Sequence, residues 1–334
     1  MTSDRSSVFN LHGKIDIEVV GPARYQEYFR NEYARISTPD AASPPSRVTL
    51  KIVPSIPTEL ATSVHYKDLF EFRFAVEALD TPSPTLIFEQ HWLDRFYTTA
   101  VGAFVQGQLL EPIIYQKLLE NDVLLMHAAG VSKDGRAFVF PAQGGTGKTT
   151  LSLALMRHGY ELMGDDLLLV DSRTMTVHPY ARPLHLFTYN LKTLAVPLKI
   201  RAAIAIKDII RTGIRLTTGK SFLISTRAHA DDILPTRRSG NARLTKAVFL
   251  RRDGEDGQMA AGTPEQLDAV IDEIIASADL NLSLQEHIGM SDDTIAAERR
   301  VIGAIFRQLG SLNYVNARAM RSDEDRLAFA HREL

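Results

Sequence analysis

A glycine-rich segment in the middle of the chain is the feature that most constrains its fold. Residues 140–150 read FPAQGGTGKTT, after an apolar stretch and before a strongly helical one at residues 151–156. The three glycines allow the backbone to curl so that successive N–H groups point inward at an anion. The sequence therefore predicts a strand, a phosphate-binding loop and a helix whose positive end faces the phosphates.

Two side chains of this loop have the positions that a phosphate-binding P-loop requires. Lys148 sits where a lysine reaches the β- and γ-phosphates, and Thr149 sits where a hydroxyl binds Mg²⁺. Ala142 replaces the usual first glycine, and its methyl group is tolerable if the residue keeps a negative φ. The residues expected to bind the nucleotide are Gln143, Gly144, Gly145, Thr146, Gly147, Lys148, Thr149 and Thr150.

An adjacent pair of carboxylates, Asp165 and Asp166, follows the loop with one helix between and precedes the apolar run 167–170. Neighbouring side chains of an extended chain point to opposite faces, so the two acids can take different roles. One would face Mg²⁺ and the other an attacking hydroxyl. The alternative is an exposed Gly-Asp-Asp turn without a catalytic role.

His127 and Arg182 are the other candidate catalytic residues. His127 ends a short apolar strand, residues 122–126, just before an Asp-Gly hairpin signal at residues 134–135. The hairpin would lie beside the P-loop strand, so His127 either approaches the phosphates and Asp165 or is an ordinary core histidine. Arg182 follows the strand after the acidic pair and would stabilise equatorial phosphate oxygens, unless it is a surface or domain-contact arginine.

A basic cluster in the second half of the chain has two interpretations. It either binds an anionic acceptor or the nucleotide, or it forms a solvent-exposed face with no ligand. Its members are Arg237, Arg238, Arg243, Lys246, Arg251 and Arg252.

The pattern of apolar residues divides the chain into two domains and predicts an α/β fold. Residues 1–118 form a smaller α+β domain with period-2 strands near residues 15–19 and 48–52, and this domain is a candidate for acceptor or partner recognition. Residues 119–334 contain the loop and form the predicted P-loop kinase domain. Residues 186–245 give no clear pattern.

Composition narrows the classes of function. The chain has 334 residues, a net charge of -2 and no cysteine. Disulfides, thiolate metal sites and cysteine nucleophiles are excluded, and no overall cationic field exists to hold nucleic acid or an anionic membrane. No apolar run reaches the roughly 18 residues that a membrane helix needs, and the first residues carry no secretory signal. We therefore expect a soluble, cytoplasmic protein without nucleic-acid or membrane partners.

The order of these elements resembles HPr kinase/phosphorylase and its wider relatives, whose P-loop domain is akin to that of phosphoenolpyruvate carboxykinase. The hairpin directly before the P-loop and the acidic pair directly before a strand carry the resemblance, which is dense over residues 121–190. It implies a mixed sheet, ATP and Mg²⁺ as cofactors, and phosphoryl transfer to a hydroxyl. It also implies that Asp165 is the general base, that Asp166 binds metal or orients the acceptor, and that His127 lies near the reacting phosphate.

The stretch 178–184 stands where true HPr kinases carry a glycine-containing signature, so the chain resembles HPr-kinase-related proteins rather than a bona fide HPr kinase. The acceptor implied is a seryl group of a peptide or protein, or a small hydroxylated molecule, and such relatives often form homo-oligomers.

Two other functions stay open at this point. A nucleotide-dependent regulatory or binding module would need no base, so the intact acidic pair favours phosphoryl transfer. A carboxykinase acting on an oxoacid would need further metal-binding lysine and histidine positions, for which the sequence offers no candidates.

Overall fold

The computed structural model describes a mixed α/β protein. The described residues are 5–39, 41–66, 70–186, 196–218, 226–229, 232–233, 239–252, 255–277, 288, 293–320 and 322–334. Two mixed sheets with packed helices contain the apolar core. The expected α/β class is confirmed, and the finer assignment to the HPr kinase type stays a prediction.

The first sheet is built from the N-terminal part of the chain. Its strands are β1 (Arg5–Leu11), β2 (Ile15–Gly21), β3 (Arg47–Val53), β4 (Thr62–Tyr66), β5 (Phe70–Glu77) and β6 (Thr85–Glu89). They lie in the order β1-β2-β3-β6-β5-β4, in which β3 runs parallel to β2 and β6 while the other neighbours are antiparallel. In β3, Val48, Leu50 and Ile52 are buried and Lys51 is exposed, so the period-2 pattern is confirmed there.

The second sheet contains the P-loop strand. Its strands are β7 (Val123–Met126), β8 (Ala128–Lys133), β9 (Arg136–Pro141), β10 (Glu161–Gly164), β11 (Leu168–Asp171), β12 (Thr176–His178), β15 (Ala242–Arg251), β16 (Gly257–Ala260) and β17 (Ser311–Asn316). The main order is β10-β8-β9-β15-β12-β11-β7, and β17 joins β15 to β16. The β15 strand runs parallel to β9 and β17, so this sheet is mixed as expected. A separate ribbon pairs β13 (Leu184–Leu186) with β14 (Thr226–Ala228).

Helices connect and cover these sheets. They are α1 (Ala23–Tyr33), α2 (Asp94–Phe104), a π-helix (Val105–Leu110), α3 (Glu111–Leu119), α4 (Lys148–Arg157), α5 (Leu198–Thr218), α6 (Pro264–Ser277), α7 (Asp293–Leu309) and α8 (Asp323–Glu333). Among the described residues, no helix has both the length and the apolar content needed to cross a membrane.

The predicted Asp-Gly hairpin is confirmed between β8 and β9. Asp134 has φ +51° and Gly135 has φ +74°, and the flanking strands pair from Lys133 with Arg136 onward. Positive φ at both turn positions matches the right-handed twist of the strands. The hairpin fixes where β9 ends and therefore where the P-loop begins.

One apolar cluster joins the two sheets. It includes Ile17 and Leu50 of the first sheet together with Leu125 and Leu169 of the second. The first sheet ends with β6 and the second begins with β7, after α2, the π-helix and α3. A boundary between two domains at residue 118 stays a prediction.

Candidate active site

The P-loop has a backbone shaped by its glycines. It connects β9 to α4, and Gly145 (φ +73°) and Gly147 (φ +109°) take left-handed conformations. Ala142 is fully buried and is not among the residues with positive φ, so its methyl group fits where a glycine is usual. Gly147 precedes α4 and has no side chain to cap it, which leaves N–H groups of the first helical turn available to an anion.

Other predicted loop residues stabilise the turn itself. The Thr146 hydroxyl donates a hydrogen bond to the carbonyl oxygen of Gln143 over 2.8 Å. Thr150 lies half-buried in the first turn of α4. These contacts hold the loop in its curled form, and they assign no ligand by themselves.

Lys148 points back along the loop. Its side chain is buried, and its Nζ atom donates to the carbonyl oxygen of Ala142 over 2.6 Å and lies 3.3 Å from Nε2 of His127. The lysine is therefore held between the start of the P-loop and the histidine that precedes β8.

Asp165 faces the P-loop helix. The Thr149 hydroxyl donates to its Oδ2 atom over 2.8 Å. Burial raises the pKa of Asp165 to about 6, and the negative charge of Asp166 adds to this, although the Thr149 hydrogen bond and the charges of Lys148 and His127 oppose it. The other carboxylate oxygen, Oδ1, is buried and has no hydrogen-bond partner in the part of the chain that the structure describes.

Asp166 faces the histidine. Its Oδ1 atom lies 3.0 Å from Nε2 of His127, and its Oδ2 atom lies 3.8 Å from Nη2 of Arg182. Desolvation by surrounding atoms opposes ionisation, but the His127 hydrogen bond and the charges of His127, Arg182 and Lys148 lower the pKa of Asp166 well below its ordinary value. Even so, 60% of its side-chain surface stays exposed.

Strand pairing explains why these residues meet. His127 lies between β7 and β8, and the acidic pair lies between β10 and β11. The β10 strand pairs with β8, and β11 pairs with β7, so both short connections come to the same place in the sheet. The acidic pair precedes an apolar strand, as expected, and it also follows one. Gly164 is needed at this turn because a Cβ there would lie 2.4 Å from the carbonyl oxygen of Leu167.

The site thus has two sides, a loop side and a histidine side. The loop side consists of Lys148, Thr149 and Asp165, and the histidine side consists of His127, Asp166 and Arg182. From the resemblance, Asp165 was expected to be the base near the acceptor, and Asp166 was expected to bind the metal or orient the acceptor. The described contact of the Thr149 hydroxyl is with Asp165, which places Asp165 on the loop side.

Arg182 is held by a partner that the sequence analysis missed. It forms an ion pair with Glu111, the first residue of α3, and both side chains are largely buried. Gln106 of the π-helix donates to Glu111 over 3.1 Å and to Glu32 of α1 over 3.4 Å. The arginine is therefore a contact between the two halves of the chain and also a neighbour of the acidic pair.

The network around Glu111 extends to the β13–β14 ribbon. Arg227 of β14 pairs with Glu32 over 2.5 Å and donates to the Tyr28 hydroxyl over 2.7 Å. No motif links these residues in sequence, because they belong to separate helices and strands. We find no local signal that would have predicted the network.

The described residues of the basic cluster do not converge on one anion-binding site. Lys246 and Arg251 pair with acidic side chains, whereas Arg252 contacts the P-loop through the carbonyl oxygen of Gly144 at 2.8 Å. Arg237 and Arg238 lie outside the described residues. Of the cluster's described members, Arg252 is the one with a contact to the candidate site.

The oxygen atoms of the loop side bear on whether the site can hold a divalent cation. Among the described residues, no group of three or more His, Asp or Glu side chains could hold a metal ion. The Thr149 hydroxyl and the buried, unpartnered Oδ1 atom of Asp165 nevertheless supply oxygen ligands close together. This fits Mg²⁺, which commonly uses one or two protein oxygens together with phosphate oxygens and water.

Comparison with known proteins yields no assignment by similarity. No protein-family model matches the chain, and no curated protein matches its sequence significantly.

Proposed function

We propose that the protein is an ATP- and Mg²⁺-dependent kinase that transfers the γ-phosphate to a hydroxyl group. The observation that supports this most is the convergence of the P-loop residues Lys148 and Thr149 with Asp165, Asp166 and His127. A nucleotide-binding loop alone would support binding. A second carboxylate, exposed and fixed beside the lysine, supplies what transfer to a hydroxyl needs in addition.

Phosphoryl transfer requires positioning and neutralisation of charge more than covalent chemistry by the protein. The N–H groups of the loop and Lys148 would bind the phosphates, with the start of α4 contributing its positive end. Lys148 now donates to a neutral carbonyl oxygen, and an anionic phosphate oxygen is the stronger acceptor.

The loop side would hold Mg²⁺ through Thr149 and Asp165. When bound, the ion would neutralise negative charge on the phosphates. The raised pKa of Asp165 is consistent with this task, because a nearby cation favours the ionised form that burial disfavours.

The histidine side would act on the acceptor. Asp166 is exposed enough to accept a hydrogen bond from an incoming hydroxyl and to orient it. Its lowered pKa makes it a weak base, so it would receive the proton only once the new oxygen–phosphorus bond has formed, the bond to the leaving ADP oxygen has broken and the acceptor oxygen has become acidic. An ionised carboxylate only accepts hydrogen bonds, so Nε2 of His127 would donate to Asp166 and orient the carboxylate, and it would then not accept a hydrogen bond from Lys148. The resemblance instead implies that Asp165 is the base, with Asp166 at the metal or orienting the acceptor.

The proposal is tested with [γ-³²P]ATP, Mg²⁺ and two sets of acceptors, a mixture of serine-containing peptides and a panel of sugars and polyols. We expect label in one set with wild-type protein and none with Lys148→Ala, which should also lose nucleotide affinity. Lys51→Ala, which removes an equal charge from an exposed strand position, is the control. Unchanged ATP binding by Lys148→Ala would contradict the proposal.

A second function is favoured by the network around Glu111. Because Glu111, Gln106 and Glu32 connect Arg182 to α1 and the π-helix, nucleotide binding at the site could alter the N-terminal surface. The protein would then be a nucleotide-dependent regulatory module. Tight ATP binding without labelled product from either acceptor set would favour this alternative.

The remaining expectations stay predictions. These are the seryl or small-molecule acceptor, the cytoplasmic location, the lack of nucleic-acid partners and homo-oligomeric assembly. The labelled acceptor set would decide the first of them directly.

A further inference from the structure

A second cation lies over the P-loop in addition to Lys148. Arg252 follows directly after β15, and its Nη2 atom donates to the carbonyl oxygen of Gly144 over 2.8 Å. A Cβ on Gly145 would lie 2.7 Å from the same Nη2 atom. The guanidinium therefore occupies the space that the missing side chain of Gly145 leaves open.

The sheet explains why Arg252 arrives there. The β15 strand runs parallel to β9, so the carboxyl ends of both strands meet at one edge of the sheet. The P-loop leaves from the end of β9, and Arg252 comes directly after the end of β15. In open α/β sheets, ligands bind outside the carboxyl ends of such strands.

Among the described residues, the charge of Arg252 has no acidic partner. Arg182 pairs with Glu111, and the neighbouring Arg251 pairs with Glu273 over 3.1 Å. Within the described ranges, no carboxylate pairs with Arg252, and its side chain is exposed. A full positive charge is thus available beside a loop whose geometry favours anions.

We propose that Arg252 binds the polyphosphate chain of the ligand in the P-loop, as a second cation besides Lys148. The inference rests on the proposed function, because it assigns a residue to the same nucleotide site. The bond to Gly144 is to a neutral carbonyl oxygen. A phosphate oxygen is a charged acceptor, and the planar guanidinium can bind two such oxygens at once, which favours exchange of the loop contact for a phosphate contact.

The ligand chemistry is a chain of phosphates, which a nucleoside triphosphate and inorganic pyrophosphate share. We would measure by calorimetry the affinities of Mg²⁺·ATP, Mg²⁺·pyrophosphate and AMP for wild-type protein and for Arg252→Ala and Arg252→Lys. The control is Arg243→Ala, which removes the same charge from an exposed position on β15, the strand that Arg252 follows.

We expect Arg252→Ala to weaken Mg²⁺·ATP binding by about tenfold, the loss of a charge-assisted hydrogen bond, and Arg252→Lys to restore part of it. Arg243→Ala should bind like the wild type. An equal loss for Mg²⁺·pyrophosphate would identify the phosphate chain alone as the ligand of Arg252, and a smaller loss would show that the nucleoside helps to place it.

Three results would overturn the inference. Equal ATP affinity of Arg252→Ala and Arg243→Ala would exclude the contact while leaving the proposed kinase function intact. A matching loss of AMP affinity would mean that Arg252 acts on the nucleoside or its first phosphate and not on the phosphate chain. If wild-type protein binds neither Mg²⁺·ATP nor Mg²⁺·pyrophosphate, the proposed function fails, and the inference fails with it.

Discussion

The loop side and the histidine side of the candidate active site each contain one of two adjacent carboxyl groups. Their surroundings shift the pKa values of these two groups in opposite directions. On the loop side, burial raises the pKa of Asp165 to about 6. On the histidine side, the cations around Asp166 outweigh desolvation and lower the pKa of that carboxyl. Two carboxylates adjacent in sequence therefore acquire different chemistry from their surroundings, and the proposed function uses this difference to assign one to the cation and the other to the acceptor.

The largest expected effect is on the rate of phosphoryl transfer, and it distinguishes the role of the loop side from that of the histidine side. Asp166→Asn should slow phosphoryl transfer roughly 10²–10⁴-fold, because the acceptor hydroxyl loses its proton acceptor. Its affinity for Mg²⁺·ATP should stay close to that of wild type. Asp165→Asn should instead lose the Mg²⁺ dependence of ATP binding. Initial rates and calorimetry would show both effects, and the reverse pattern would restore the roles implied by the sequence resemblance.

The next largest effect is on the free energy of unfolding, when the ion pair that holds Arg182 on the histidine side is broken. Glu111→Ala leaves the buried Arg182 charge without its partner, so we expect a loss of about 3–5 kcal/mol in the free energy of unfolding in urea. Arg173→Ala breaks an exposed ion pair with Asp122 and should cost about 0–1 kcal/mol. Similar losses for the two variants would show that burial does not distinguish the pairs.

A smaller effect is expected on the pH dependence of the unfolding free energy, which tests the opposite pKa shifts of Asp165 and Asp166. The pKa of Asp165 is raised in the folded protein, so its stabilising contribution is complete below the unfolded pKa near 3.8 and is lost as pH rises through about 6. The unfolding free energy of wild type relative to Asp165→Asn should therefore fall by about 2 kcal/mol between pH 4 and pH 7.

The same measurement on Asp166→Asn is the matched comparison. The pKa of Asp166 is lowered, so its contribution is present above the unfolded pKa and is lost as pH falls. The two difference curves should have slopes of opposite sign. Parallel curves would contradict the assignment of different environments to the two acids.

The smallest effect concerns His127. In His127→Ala, Asp166 loses a hydrogen bond and a positive neighbour, so its pKa should rise and the acid limb of the transfer rate should move to higher pH. Near neutral pH, where Asp166 stays ionised in the variant, we expect a fall in rate of about tenfold because the carboxylate loses the hydrogen bond that orients it. An unchanged acid limb in the pH–rate profile would show that the histidine does not act through Asp166.

Local features of the fold were predictable because their causes lie within a few residues. The Asp-Gly turn requires positive φ at both positions, and residues 134 and 135 have it. In contrast, β1 was not predicted, because its sequence RSSVFNL is too polar to show alternation. It exists because β2 offers it a pairing edge, which is a tertiary cause.

The chain by itself determined the curled loop. Its glycines, lysine and hydroxyl residue are contiguous, so the local backbone is enough to place them in one loop. Tertiary structure decided which carboxylate meets Thr149, which meets His127, and that Glu111 holds Arg182. Those contacts depend on strand pairing and on helices far apart in the chain, and the balance of burial against charge that sets each pKa exists only once they have come together.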